Sequence, residues 1–301
     1  MKELSDILRK PAFHCPDIQI WKSQRLFTQP SRPLSTLKEA FLAGCRADRM
    51  AWAFCGGYQW AIRSLLPELT ENTDVLALCI SESGGGHPRK ILSSLEPVEG
   101  GYVLSGKKTF ITCGTEADRL LIAARTGEQA DGKPDLKMLI LPARGEGFSV
   151  SAMPALPIVP ELPHASVVMD RITVSEKDVL PGDGYLQYIR PFRMHEDLHV
   201  QAALAGLIAR KGFELEQQEI LEESLSCFYA LQGIKLMGEE PSNALALSAV
   251  EPRLRELATR TINLISNSEE KSNWQRDVQI MEVAGKARAI RRKKAWDQLV
   301  S

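Results

Sequence analysis

The sequence predicts an α+β protein in which N-terminal helices precede a middle antiparallel β-barrel or sandwich and a C-terminal helical bundle. Three observations indicate this order. Apolar residues recur at helical spacing before position 70, short runs broken by Gly, Pro and Asp fill the middle, and helical spacing returns after about position 185. We therefore expect domains at residues 1–74, 75–183 and 184–301.

The N-terminal helical domain is predicted from the stretch between Thr36 and Leu69. Its apolar side chains recur three or four residues apart, as they do on one face of a helix. They include Leu42, Met50, Phe54, Tyr58, Ile62 and Leu65. The chain begins with MKELSDILRKPAF, which is charged and lacks the apolar core of a secretion signal, so we expect a cytoplasmic protein.

The middle and C-terminal domains differ in the length of their apolar patterns. The middle segment contains short runs such as VLALCI, KTFITC and LKMLILP, whose length and turn residues are typical of strands. The C-terminal segment contains three long helical patterns, which predict a bundle. In the last pattern Trp274, Met281, Val283 and Ala287 form an apolar face, which we expect to pack in the bundle or against a second subunit.

The composition excludes several function classes. The 301 residues are 44% hydrophobic and 25% charged, and the formal charge of −1 gives no reason to expect a nucleic acid or an anionic membrane as partner. No apolar run is long enough for membrane insertion. The six cysteines form no CxxC pair, which indicates reduced thiols in a cytoplasm.

Two motifs of the middle segment carry a family resemblance. The first, LCISESGGGHPRKI, contains a hydroxyl residue, a glutamate and a glycine-rich turn at Ser81, Glu82 and 84–86. The second lies in GYVLSGKKTFITCG and supplies Gly106, Lys108, Phe110, Ile111 and Thr112. With the later stretch LPHASVVMDRITVSEKDVLPGDG, they resemble the middle domain of the acyl-CoA dehydrogenase family, in a short and divergent form.

The resemblance implies a flavoprotein of lipid metabolism that uses FAD to oxidise the CH–CH group of an acyl-CoA or a similar acyl thioester. It also implies a homo-dimer or tetramer, or a mixed assembly, and an electron-accepting flavoprotein as partner. The positions that would contact the cofactor are Ile80, Ser81, Gly86, His87, Phe110, Ile111 and Thr112. At His87 the family commonly has a serine, so the usual contacts at that corner are in question.

The same residues also have simpler interpretations. KTFITC can be an ordinary strand, in which Phe110 and Thr112 share a face because they are two residues apart. The glycines at 84–86 can cradle a phosphate through backbone N–H groups or merely turn the chain. A flavin ring, by contrast, requires a flat slot with an aromatic wall and short hydroxyls at its polar edge.

Glu196 is the candidate catalytic base. Most family members place the base in a late Tyr-Glu-Gly stretch, which this sequence lacks, and a minority place it at the start of the first C-terminal helix. Glu196 occupies that minority position, ten residues before Gly206, and the family usually has Arg where Asp197 stands. A carboxylate near the start of a helix can alternatively just complement the helix dipole.

Residues 195–199 read His-Glu-Asp-Leu-His, which suggests a second hypothesis. Histidines four residues apart lie on one helix face, so His195 and His199 could bind zinc while Glu196 polarises a water, as in a zinc hydrolase. Asp197 between them is unusual for such a buried helix, and no third ligand stands out. We therefore predict no metal site and keep the hydrolase as an alternative.

One departure from the family leaves a further alternative open. The motifs by which a neighbouring subunit binds the distal part of FAD in the family are absent from this sequence. The chain could therefore be a noncatalytic partner of a complete subunit. The basic run near the C-terminus could replace them as a phosphate clamp, or be only the wet face of a helix. The clamp residues would be Arg288, Arg291, Arg292 and Lys293.

Overall fold

The computed structural model describes residues 2–25, 35–70, 73–238, 240–283 and 285–301. In these ranges helices occur at both ends of the chain and strands in the middle, so the predicted α+β order is confirmed. The N-terminal helices are α1 (Lys2–Leu8), α2 (Ile18–Ser23), α3 (Thr36–Arg46) and α4 (Met50–Leu65). The C-terminal helices are α5 (Arg190–Glu214), α6 (Gln218–Met237), α7 (Pro241–Leu264), α8 (Ser268–Asp277) and α9 (Gly285–Val300).

The described strands form one curled sheet. They are β1 (Leu76–Cys79), β2 (Ser94–Val98), β3 (Gly101–Thr112), β4 (Arg119–Glu128), β5 (Pro134–Pro142), β6 (Phe148–Ala152) and β7 (His164–Ser175). Their order is β1-β4-β2-β3-β7-β6, with β5 on the free side of β4. The strands of the described residues all lie within the predicted middle segment, and the domain boundaries at 74 and 183 stay predictions.

The sheet is mixed rather than purely antiparallel. β1 pairs with β4 in parallel over Leu76–Cys79 and Arg119–Ile122, and β2 meets β4 in parallel at one residue pair. The other described pairings are antiparallel. Parallel neighbours need a long connection, and the segment that contains the β2–β3 hairpin supplies it between β1 and β4.

Helices from both ends of the chain share one core. Close approach of α3 and α5 requires glycine, since a Cβ at Gly206 would lie 2.0 Å from the carbonyl oxygen of Phe41, and one at Gly44 would lie 1.8 Å from that of Ala203. Phe41 stacks on Phe228 of α6 with ring centroids 4.2 Å apart. Gly206 thus fixes how α5 sits in the bundle, and with it the position of Glu196.

The sheet is attached to the helices through α4. The buried amide of Gln59 donates to the carbonyl of Leu76 and accepts from its N–H, both at 2.9 Å. The hydroxyl of the preceding residue, Tyr58, accepts from the N–H of Leu78 at 2.8 Å. These bonds satisfy backbone groups of β1. A cleft lies between the end of β1, the end of β3 and the start of α5.

The six cysteines are all buried and free. None forms a disulfide, in agreement with the expectation of reduced thiols. Their side chains contribute to the cores as small apolar groups.

Candidate active site

A cleft of ≈ 200 Å³ lies where the sheet meets the helices. The structure brings six of the eight predicted site residues to its wall. They are Ile80, Ser81, Gly86, Phe110, Thr112 and Glu196. These residues are far apart in the sequence, and they meet because β1 and β3 reach the cleft from one side while α5 reaches it from the other.

Phe110 stands in a bulge of β3. The register of β3 against β7 shifts between Lys108 and Ile111, and Phe110 has a positive φ of 53°. Its ring is 60% exposed, although large aromatic side chains are usually well buried. KTFITC is therefore not a regular strand, and the bulge turns the Phe110 ring out of the sheet beside the cleft.

The hydroxyls of the cleft lie near polar groups of the sheet. Thr112 Oγ1 is 3.4 Å from Nε2 of His164 on β7. A Cβ added at Gly86 would meet Ser81 Oγ at 3.1 Å, so a larger residue at Gly86 would crowd that hydroxyl. The N–H of Gly86 donates to no residue in the described part of the chain.

Two predicted residues lie outside the cleft. The side chain of Ile111 is 1% exposed and belongs to the core of the sheet, so only its backbone could reach a ligand. His87 lines a neighbouring cavity of ≈ 270 Å³ together with Arg89 and Lys133, and its Nδ1 accepts from the N–H of Arg89 at 3.2 Å. The position at which the family commonly has a serine therefore borders this neighbouring cavity and not the cleft.

The two sequence motifs are joined by a buried ion pair. Lys108 on β3 is fully buried, and its Nζ donates to Oε1 of Glu82 at 2.8 Å. Glu82 also accepts from the N–H groups of Leu92 and Ser93 and from Ser93 Oγ. Burial favours the protonated form, but these donors outweigh it, and the pKa of Glu82 is held below its usual range.

Glu196 lies between two cavities. It lines the cleft and also a second, smaller cavity, which we call the distal cavity, lined in part by Phe54, Val200 and Gln201. Its carboxyl makes no hydrogen bond or ion pair with any described residue. Burial, reinforced by the charge of Asp197, raises its pKa to about 7, while Arg288 and Arg193 oppose the rise. The carboxyl can thus take up or release a proton near neutral pH.

Asp197, the next residue, is paired twice. Arg288 Nε donates to its Oδ1 at 3.0 Å, and Arg291 donates to its Oδ2. Two of the four proposed clamp residues are therefore bound to Asp197 inside the protein, which leaves Arg292 and Lys293 exposed. A four-residue phosphate clamp is not formed, because the carboxylate 91 residues earlier takes the first two arginines.

His195 and His199 belong to a different polar cluster. Nδ1 of His199 donates to the carbonyl of His195 at 2.6 Å, and its Nε2 lies 3.0 Å from Thr36 Oγ1 and 3.5 Å from Nζ of Lys235. Nδ1 of His195 lies 2.9 Å from Ser64 Oγ. Burial lowers the pKa of His195 to about 4 and that of Lys235 to about 8.

These contacts differ from those of a zinc centre. Both ring nitrogens of His199 are used by oxygens, and the nearest cation is an ammonium group. In the described ranges no group of three or more His, Cys, Asp or Glu is placed to hold a metal ion. The two histidines thus hold α5 against α3, α4 and α6 instead of forming a ligand pair.

Sequence reasoning did not find several residues of the site. Tyr58 and Phe192 line the cleft and meet edge to face, with ring centroids 6.0 Å apart. Arg193 lines it as well, and Gln201 lines the distal cavity. The helical pattern of α4 included Tyr58 as a core position only, and nothing local marked the others.

Comparison with known proteins agrees with this geometry. Residues 77–172 match the family model for the acyl-CoA dehydrogenase middle domain. Over these residues the chain resembles the acyl-CoA dehydrogenase family. The 3-(aryl)acrylate reductase of Clostridium sporogenes is 24% identical over 116 residues, which are 38% of this chain and only 30% of that reductase.

The likeness in structure extends over the whole chain. An FAD-dependent dehydrogenase of known crystal structure has a TM-score of 0.76 and 16% identity, with 99% of this chain and 96% of that chain covered. Butyryl-CoA dehydrogenase of Megasphaera elsdenii has a TM-score of 0.76 and 14% identity, with 98% and 96% covered. At these identities the structures show that the acyl-CoA dehydrogenase fold is shared. Among the described helices none is both long and apolar enough to cross a bilayer.

Proposed function

We propose that the protein is a flavin-dependent oxidoreductase that removes two hydrogens from adjacent carbons of an acyl-CoA or a similar acyl thioester. The observation that carries the proposal is the Glu196 carboxyl. It lies on the wall shared by the cleft and the distal cavity, has no partner in the described chain, and has a pKa raised to about 7. A base for carbon acids needs this combination of access and poor solvation.

The residues of the cleft fit a flavin ring, and we propose FAD as the cofactor. The exposed ring of Phe110 offers a flat apolar surface, and the hydroxyls of Ser81 and Thr112 offer hydrogen bonds to a polar edge. The N–H of Gly86 is available to an acceptor. A bound flavin would supply the acceptor for a hydride.

Glu196 would perform the proton transfer. In its carboxylate form it would take the proton from the carbon next to the thioester carbonyl, and a bound flavin would supply the acceptor for the hydride of the neighbouring carbon. A carbon–carbon double bond remains, and the carboxyl is then protonated. A positioned general base is typically worth about 10²–10⁴ in rate.

Several finer features belong to the same proposal. An electron-accepting flavoprotein would reoxidise the enzyme, and the chain would act as a homo-dimer or tetramer, or within a mixed assembly, in the cytoplasm. The resemblance to the family implies the partner and the assembly, and the free cysteines favour the cytoplasm. A chain that takes up FAD only after a partner subunit is added would instead be the noncatalytic member of a mixed assembly.

The test is the absorption spectrum of the purified protein, loaded with FAD if necessary, before and after an acyl thioester is added anaerobically. We expect a flavin spectrum that bleaches with substrate. In Glu196→Gln the bleaching rate should fall by about 10²–10⁴ while the oxidised spectrum stays the same, because the flavin-facing residues are unchanged.

The matched control is Glu222→Gln, which removes an exposed carboxylate of α6 and should bleach at the wild-type rate. Bleaching of Glu196→Gln at that same rate would remove Glu196 from the reaction. Protein that binds no FAD, alone or with added cofactor, would overturn the flavin assignment.

A further inference from the structure

We infer that the acyl group is short and carries an uncharged hydrogen-bonding group at its far end, which is recognised by Gln201. The inference rests on the proposed function, since it treats the distal cavity as the place where the acyl chain continues beyond the reacting carbons. The cavity qualifies because Glu196 lines both it and the cleft. A chain held with its α carbon at Glu196 can therefore enter it.

The size of the distal cavity limits the chain. Its volume is ≈ 80 Å³. An apolar cavity of about 150 Å³ holds one benzene, which has six carbons, so the distal cavity has room for about three non-hydrogen atoms. A long alkyl chain does not fit without movement of Leu204 or Leu254, which form part of the wall.

Gln201 is a polar side chain in the wall of this cavity that makes no hydrogen bond with the described residues. The residue is 2% exposed, and neither Oε1 nor Nε2 has a hydrogen-bond partner among the described residues. More than nine in ten buried polar groups are paired, and an unpaired one costs about 1–3 kcal/mol. Gln59 is equally buried in the same helical layer, yet both of its amide atoms are bonded to Leu76.

The position of Gln201 also suits recognition of a chain end. It lies five residues after Glu196 on α5, which corresponds to about 7.5 Å along the helix axis. A group bound near Gln201 would thus be several atoms from the carbon that faces Glu196. The amide could both donate to and accept from a hydroxyl or a carboxamide.

The charges around the distal cavity favour an uncharged group. Its wall includes Glu196, Asp197 and Glu251. Arg288 is the cation that lines it within the described side chains, and this guanidinium already bonds Asp197 and the carbonyl of Met281. A carboxylate on the ligand would therefore meet like charges without a cation to receive it.

The test compares two isosteric thioesters on the FAD-loaded protein. Hexanoyl-CoA and 5-hydroxypentanoyl-CoA both have three atoms beyond the β carbon, and they differ only in a terminal methyl or hydroxyl. Calorimetric titration should give tighter binding of the hydroxy compound by about tenfold, because pairing the amide recovers about 1.4 kcal/mol. Glutaryl-CoA, which ends in a carboxylate, should bind more weakly than either.

Gln201→Leu should abolish or reverse this preference, with Gln201→Met as the second variant if the first folds poorly. Leu254→Met, which alters the wall without changing its polarity, is the matched control and should keep the preference. Equal or tighter binding of hexanoyl-CoA to the wild type, or a preference that survives in Gln201→Leu, overturns the inference.

Flavin bleaching separates this inference from the proposed function. Bleaching by both thioesters without a binding preference supports the dehydrogenase and refutes the role of Gln201. A Gln201-dependent binding preference without bleaching supports the role of Gln201 and refutes the dehydrogenase. Absence of binding of every thioester refutes the inference.

Discussion

Two glutamates have opposite surroundings: Glu196 lines the cleft, whereas Glu82 directly follows Ser81 of the cleft wall. Glu82, in the turn after β1, receives hydrogen bonds from Lys108, from two backbone N–H groups and from Ser93 Oγ. Glu196, near the start of α5, receives none from the described residues. The pKa of Glu82 is lowered, whereas burial raises that of Glu196 to about 7. The number of donors, and not burial alone, therefore separates a carboxylate that holds the structure from one that can transfer a proton.

The isolation of Glu196 depends on its neighbour. Arg288 and Arg291 are close enough to α5 to reach a carboxylate, and both bind Asp197. Glu196 consequently has no direct counter-ion in the described part of the chain, and the negative charge of Asp197 contributes to its raised pKa. At position 197, where the family usually has Arg, this chain has Asp197, which forms ion pairs with Arg288 and Arg291 of α9.

Glu82→Gln breaks the buried ion pair between Glu82 and Lys108. We expect the free energy of unfolding to fall by about 3–5 kcal/mol, because the fully buried ammonium of Lys108 would lose its counter-ion. Urea unfolding measures the loss. Glu96→Gln, an exposed position of β2, is the control and should change stability little. A loss below about 1 kcal/mol would mean that the two motifs are not held together by this pair.

Glu196→Gln removes the carboxylate that has no partner, and we expect it to raise the free energy of unfolding above neutral pH. Because the native pKa is about 7 and the reference value is 4.5, the native state binds more protons between these pH values, so the stability of the wild type falls as pH rises through them. We expect Glu196→Gln to match the wild type near pH 4.5. At pH 8 it should be more stable by up to about 3 kcal/mol.

Urea unfolding at the two pH values checks this difference. The increase should be partial if solvent reaches the carboxyl through the cleft. Glu222→Gln should follow the wild-type pH dependence. A Glu196→Gln variant that is less stable than the wild type at pH 8 would show that the carboxylate has a stabilising partner.

Local patterns sufficed to predict most helices and the strands, and the resemblance to a family supplied six residues of the cleft wall. Ser81, Phe110 and Thr112 lie within two short motifs whose residue types reflect local backbone needs. The ten-residue interval from Glu196 to Gly206 also has a physical basis, since Gly206 fixes the contact of α5 with Phe41. These features follow from neighbours in the sequence or from a single tight packing contact.

Long-range pairings could not be predicted in the same way. Lys108 and Glu82 are 26 residues apart, and Arg288 and Asp197 are 91 residues apart. Each looks like an ordinary surface charge until the fold brings it to its partner. The arginines therefore suggested a phosphate clamp, and the parallel pairing of β1 with β4 was not expected. The unpaired amide of Gln201 could not be predicted from the sequence either, because it depends on which polar groups the fold places around the side chain.

The smallest expected effect concerns the link between the two acids of α5. Bleaching by an acyl thioester requires the Glu196 carboxylate, so its rate should rise with pH through about 7. Asp197→Asn removes a charge that raises this pKa and leaves Arg288 nearby, so the rise should shift to lower pH. Stopped-flow measurement of flavin reduction from pH 5 to 9 determines the midpoint, with the exposed Asp297→Asn as control. An unchanged midpoint would mean that burial alone raises the pKa of Glu196, because the charge next to it would then be fully neutralised by its two arginines.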